Sequence, residues 1–154
     1  MAQLSECNRS LGRRITTSLM VAAMLSLALV GFAPGQASAT ASGYFWSSKK
    51  SCSFGLLKNA TVSVQFYQDQ YGSRLLTGYS FFGDATVSGV NMQQYLNGTF
   101  MHSVSTDPGH VSTATRTGLG NYFSFAAAGN NREAKVVLTP DSWYLGSCTV
   151  KIPY

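Results

Sequence analysis

Charged side chains are scarce: Asp, Glu, Lys and Arg together make up 11% of the chain. That excludes a highly charged disordered tail and a basic nucleic-acid-binding arm, both of which need dense charge of one sign. Histidine occurs twice and cysteine three times, too few for a histidine-rich metal site or a disulfide-dense miniature scaffold. Proline occurs four times, and no proline-rich linker divides the chain. No nucleophile elbow, zinc-ligand spacing or phosphate-cradling glycine pattern is present, since Gly118-Leu119-Gly120 reads as a turn. What remains is a chain of 154 residues, 45% hydrophobic and 12% aromatic, the size and composition of one folded domain.

The first forty residues have the three-part layout of a bacterial-style secretory leader. Arg9, Arg13 and Arg14 precede an uncharged apolar run from Ile15 to Phe32, which is followed by Pro34-Gly35 and the small-residue triplet Ala37-Ser38-Ala39. Cleavage is expected after Ala39, giving a leader over 1–39 and one secreted domain over 40–154. An uncleaved anchor is the alternative, because the apolar run is barely long enough to cross a bilayer. Thr16 and Thr17 follow Arg13-Arg14 where a twin-arginine signal prefers apolar residues, so the general secretory route is expected. Without Arg9, Arg13, Arg14 and Glu6, eight basic and five acidic residues remain, a net charge of +3. With no basic cluster beyond Lys49-Lys50, no nucleic-acid partner is expected, nor membrane insertion of the mature domain.

Cys7 departs with the leader. Cys52 and Cys148 then form an even pair in an oxidising compartment and are expected to bond, across a spacing of 96 residues.

The mature chain reads as all-β. In Thr61 to Tyr67, Val62, Val64 and Phe66 alternate with polar residues, the period of a half-buried antiparallel strand. Similar patterns recur over 75–82, 85–90, 100–105, 111–115, 122–128, 133–139 and 147–152, with one turn of helix allowed at 93–96. Gly83-Asp84, Asn97-Gly98, Asp107-Pro108-Gly109 and Gly129-Asn130-Asn131 supply turn chemistry between them. An antiparallel β-sandwich of about seven to nine short strands with one disulfide is therefore expected, with a small closed β-barrel as the alternative. The expected core comprises Phe66, Phe81, Phe100, Phe125, Val136, Leu138 and Val150.

No catalytic residue, metal ligand or cofactor is assigned. If Pro108-Gly109 closed a hairpin, His102 and His110 would lie roughly 16 Å apart along the ribbon and on opposite faces, too far to share a metal. Asp107 and His110 would brace that turn, and His102 would pack beside Phe100 and Val104. The aromatic clusters are more suggestive. Tyr44-Phe45-Trp46 leads into Cys52, and Trp143-Tyr144 leads into Cys148, so the bond would draw both toward one neighbourhood. Flat rings with polar edges suit sugar stacking or a protein anchor, and packing over the disulfide is the structural alternative. Tyr44, Trp46, Trp143 and Tyr144 are the candidate ligand-binding residues, with Tyr67, Tyr71, Tyr79 and Tyr95 as a second candidate face. The leading functional expectation is a secreted, extracellular, non-enzymatic binding module that recognises a cell-surface glycan or protein. A toxin-like protein acting on a cell envelope is the first alternative. A small secreted hydrolase or ribonuclease using Glu133, a histidine and Arg116 is the second.

Overall fold

The computed structural model describes residues 41–154, so the leader, Cys7 and the cleavage site lie outside the described residues. Eight strands follow one another: β1 (Gly43–Trp46), β2 (Lys50–Phe54), β3 (Lys58–Gln68), β4 (Arg74–Leu96), β5 (Thr99–Thr106), β6 (Val111–Arg116), β7 (Arg132–Pro140) and β8 (Cys148–Pro153). All pairings are antiparallel, and all eight strands belong to one sheet. Among the described residues, two short 3-10 turns, Gly120–Tyr122 and Trp143–Leu145, interrupt the strands and loops. The all-β, antiparallel, single-disulfide expectation therefore holds.

The organising element is β4, 23 residues long. Its first half pairs with β3 and β6, and its second half with β7 and β5. The sequence suggested a turn at Gly83-Asp84, but the strand runs on through both residues and changes neighbours there, β3 ending at Gly83 and β7 beginning at Val87. The turn chemistry marks an exchange of partners rather than a reversal. Residues 93–96 are strand, not helix. The reversal falls at Asn97-Gly98, as the residue types demand: φ is +51° at Asn97 and +81° at Gly98, the left-handed pair of a two-residue hairpin.

Period-two alternation puts one face of β3, β4, β7 and β8 into a common core. Val62 and Val64 on β3, Phe81 on β4, Val136 and Leu138 on β7 and Ile152 on β8 are wholly or almost wholly buried, together with Phe54 on β2. Strand β8 packs against β2 and β3 across this core, so the two layers of the expected sandwich are halves of one curled sheet. Its edges approach at Cys52 and Cys148, which are bonded with their Cα atoms 5.5 Å apart. No ladder joins β2 to β8, and the sheet is not closed into a barrel. The disulfide stands where a barrel would carry a hydrogen-bonded seam. Among the described residues, the core draws on positions from Phe54 to Tyr154.

Two expected core residues lie outside it. A bulge on β5 sets Tyr95 opposite Phe100 but Gln94 opposite His102. The extra residue, Met101, reverses the alternation, so Phe100 moves to the outer face against Tyr95, 51% exposed, while His102 stays on the Gln94 side. Phe125 is 54% exposed because 122–128 forms a loop rather than a strand. Its backbone is held by Arg74, through a single bridge to Ala126, instead of by a ladder.

The segment around Pro108 also differs from expectation. Strands β5 and β6 do not pair with each other, because both run along the same edge of β4. Asp107 does brace the bend, its Oδ1 accepting the Gly109 N–H at 2.7 Å. His110 instead reaches Asp141, Nδ1 to Oδ1, at 3.0 Å.

Candidate functional site

The outer face of β1, β3 and the first half of β4 carries a groove of about 800 Å³. Tyr44 lies opposite Tyr67, and Tyr67 opposite Leu75, so these side chains share one face across three strands. The far wall is the loop after β6, which contributes Thr117, Asn121, Phe123 and Phe125. The Tyr44 and Tyr67 rings meet edge to face at 5.3 Å, and Tyr67 meets Phe125 at 6.4 Å. None of the lining residues is charged.

A bulge explains how the loop is fixed over the sheet. Gln65 pairs with Gly78 and Phe66 with Leu76, which leaves Thr77 as the extra residue on β4. Its carbonyl, released from the ladder, accepts the Leu119 N–H at 2.9 Å. Its hydroxyl donates to Gln65 Oε1 at 3.1 Å, which orients that amide in the groove. Next to it, Gly78 lets the end of β6 come close, since a Cβ there would collide with the Arg116 carbonyl oxygen. Leu119 itself is buried in the core and acts as the loop's apolar anchor.

The other end of the loop is tied by buried polar groups. The Gln94 side chain, with no exposed surface, accepts the Ser124 N–H at 3.1 Å and donates to the Ser124 carbonyl at 2.7 Å and the Tyr154 hydroxyl at 2.8 Å. His102 Nε2 meets Ser124 Oγ at 2.7 Å. Arg132 donates from Nη2 to the carbonyls of Gly72 and Ala127, and burial holds its guanidinium below its ordinary pKa. Burial likewise pushes the Tyr154 phenol up, only partly offset by the bond from Gln94 and the nearby Arg132 charge. A long loop of polar and small residues thus acquires a fixed shape from side chains beneath it, and the groove is preformed.

The four candidate binding residues are all exposed, but they are not brought together. Tyr44 lines the groove, and Trp46 projects on the same face beside Gln65. Trp143 and Tyr144 lie at the other end of the sheet, where the Leu145 carbonyl oxygen is 3.3 Å from the Cβ position of Gly55 in the β2–β3 turn. Along β3, Gln65 beside Trp46 and Lys58 beside that turn are seven residue steps apart, roughly 23 Å. The disulfide joins the edges of the sheet but does not shorten this axis. The second candidate face is divided too. Tyr79 is buried with its hydroxyl 2.6 Å from Thr106 Oγ1, Tyr67 lines the groove, Tyr71 sits on the β3–β4 turn, and Tyr95 pairs with Phe100.

The residues of the hydrolase alternative are likewise scattered. Glu133 neighbours Tyr95 on the outer face and pairs with Lys151 at 3.3 Å, whereas His102 lies in the Gln94 row on the inner face. Arg116 is at the end of β6, opposite Tyr79. The groove was missed in the sequence because its aromatic members come from three separate segments. The signal that was present, polar and aromatic alternation at Gln65 and Tyr67, read as the solvated face of a strand, and Tyr67 and Tyr44 were placed on two different candidate faces.

Fold and groove together define a class: a single-disulfide antiparallel β domain with a preformed, uncharged aromatic cleft. No protein-family model, curated protein or solved structure matches the chain.

Proposed function

We propose that the domain is an extracellular binding module whose groove takes a neutral segment of a cell-surface glycan. The observation that carries this reading is the lining: the rings of Tyr44, Tyr67 and Phe125 beside the polar side chains of Gln65, Thr77 and Asn121, without a formal charge among them. A sugar ring presents an apolar face of C–H groups and a rim of hydroxyls. Aromatic faces take the first, and amide and hydroxyl groups take the second. A volume near 800 Å³ falls in the range of pockets that enclose small ligands. The absence of lining charge favours a neutral saccharide over an anionic polymer, and the concave shape favours a glycan over a flat protein surface. Secretion, inferred from the leader, supplies the compartment, and the disulfide and the absence of a long apolar helix among the described residues are compatible with it.

Retention on insoluble polysaccharides and isolated cell walls tests the reading, with Tyr67→Ala and Phe125→Ala as groove variants. Each ring is expected to be worth about tenfold in Kd, about 1.4 kcal/mol, at unchanged melting temperature for Phe125→Ala. Retention that is the same in both variants and wild type would remove the groove from the explanation.

A further inference from the structure

At the end of the sheet remote from the groove, two loops hold a set of side chains that folding leaves uncovered. The turn between β2 and β3 is Gly55-Leu56-Leu57, with Leu56 101% and Leu57 87% exposed. Gly55, at φ +63°, makes the reversal. Turn tips ordinarily carry polar residues, and two consecutive leucines in water gain nothing from the fold. Beside them stands the 3-10 turn Trp143–Leu145, with Trp143 92% and Tyr144 71% exposed and their rings set edge to face at 6.1 Å. The Leu145 backbone touches the Gly55 position, and the Cys52–Cys148 bond ties the strands that carry both loops.

Charge around this tip is mixed, with three lysines against two aspartates. Lys58 directly follows the leucines, and Lys49 and Lys50 lie further along the same hairpin. Asp84, which accepts the Asn59 N–H, and Asp141, which meets His110, are the acidic groups nearby, so Lys58 is the cation placed closest to the leucines.

We propose that this tip is a membrane-contact surface, which sets Leu56, Leu57 and Trp143 shallowly into a lipid bilayer bearing anionic headgroups. The argument rests on shape, residue type and charge together. A protruding pair of fully solvated leucines offers a protein partner no groove and little flat area, whereas a fluid bilayer receives a protrusion without shape complementarity. Tryptophan and tyrosine partition to the membrane–water boundary, where an apolar ring and a polar edge are both satisfied. Lys58, just behind the leucines, meets anionic headgroups. The contact is peripheral: no helix among the described residues is long and apolar enough to cross a membrane, and a single turn reaches only the boundary region.

The test uses the secreted chain expected after leader cleavage, residues 40–154, in co-sedimentation with phosphatidylcholine vesicles with and without 30% phosphatidylglycerol. The expected result is retention on the anionic vesicles, with a blue-shifted Trp143 emission quenched by brominated lipid in a Trp46→Phe background. The Leu56→Ser/Leu57→Ser variant should lose at least tenfold in partitioning at unchanged melting temperature. Lys58→Glu should reduce the preference for anionic over zwitterionic vesicles. The groove variant Phe125→Ala should bind vesicles like wild type, which separates this surface from the glycan reading. Absence of wild-type retention on either vesicle, or equal retention by the double serine variant, would overturn the proposal. Self-association that the double variant abolishes, without lipid binding, would assign the tip to a second copy of the chain instead.

Discussion

Reduction of the Cys52–Cys148 bond is the perturbation with the largest predicted effect on stability. The bond spans a sequence separation of 96, and the loop-closure entropy for that length is about 4.7 kcal/mol at 25 °C. In this fold that loss has no backbone remedy, because β2 and β8 share no ladder. Once the sulfurs part, only side-chain packing around Phe54 and Cys148 holds the two edges together. Domains of this size have total stabilities of about 5 to 15 kcal/mol, so the reduced protein should sit near the limit of folding. With a urea m-value of about 1.5 kcal/mol/M, the midpoint should fall by about 3 M. The assay is urea unfolding followed by intrinsic fluorescence, with and without a phosphine reductant, after thiol titration has confirmed both redox states. The Cys52→Ala/Cys148→Ala variant should fall at least as far, because the Cys148 side chain is wholly buried and its truncation adds a packing loss. Oxidised and reduced midpoints within about 0.5 M of each other, equivalent to less than about 1 kcal/mol, would refute the reasoning. The seam would then be held by packing alone.

Two further outcomes follow from the buried polar cluster. Gln94→Met keeps the volume but strands the Ser124 N–H and carbonyl and the Tyr154 hydroxyl; a loss of about 3 kcal/mol is expected, read by urea unfolding, with hydrogen exchange at Ser124 accelerating more than exchange in β3. Because burial raises the Tyr154 pKa above its ordinary value of 10.0, the unfolded chain releases that proton first as pH rises. Its share of stability is therefore complete below about pH 10 and lost above it. The melting temperature should fall on alkaline titration, and Tyr154→Phe should flatten that fall while starting from a lower value.

Much of the fold was legible where one residue type settles one local question. Alternation in Val62, Val64 and Phe66 defined β3 and its buried face, Asn97-Gly98 defined a hairpin through two left-handed φ values, and the two cysteines left outside the expected leader defined the covalent link. Reading failed where the answer depended on a neighbour. Gly83-Asp84 and Pro108-Gly109 have turn chemistry, yet one lies where β4 changes partners and the other where an edge strand is interrupted. Met101 carries no mark of being the extra residue that sends Phe100 outward. The groove's wall was read as a strand because Tyr122 to Ala128 has the composition of one, whereas Gln94 and Arg74, distant in sequence, claim its backbone. The four candidate binding residues were read as one neighbourhood because the disulfide was treated as a point of convergence. It is a lateral link, and distance along β3 keeps the clusters apart.

The break between β5 and β6 has a consequence for how the molecule behaves in a crowd. Without it, Thr99 to Arg116 would offer one long row of unpaired amides and carbonyls, a template on which the strand of another molecule can register and propagate. Pro108 removes one donor from that row, and the left-handed backbone at Gly109 and His110 turns the chain out of line. His110, pinned to Asp141, holds the detour in place. Two short lengths of border replace a continuous one, and neither is long enough to nucleate a fibre readily.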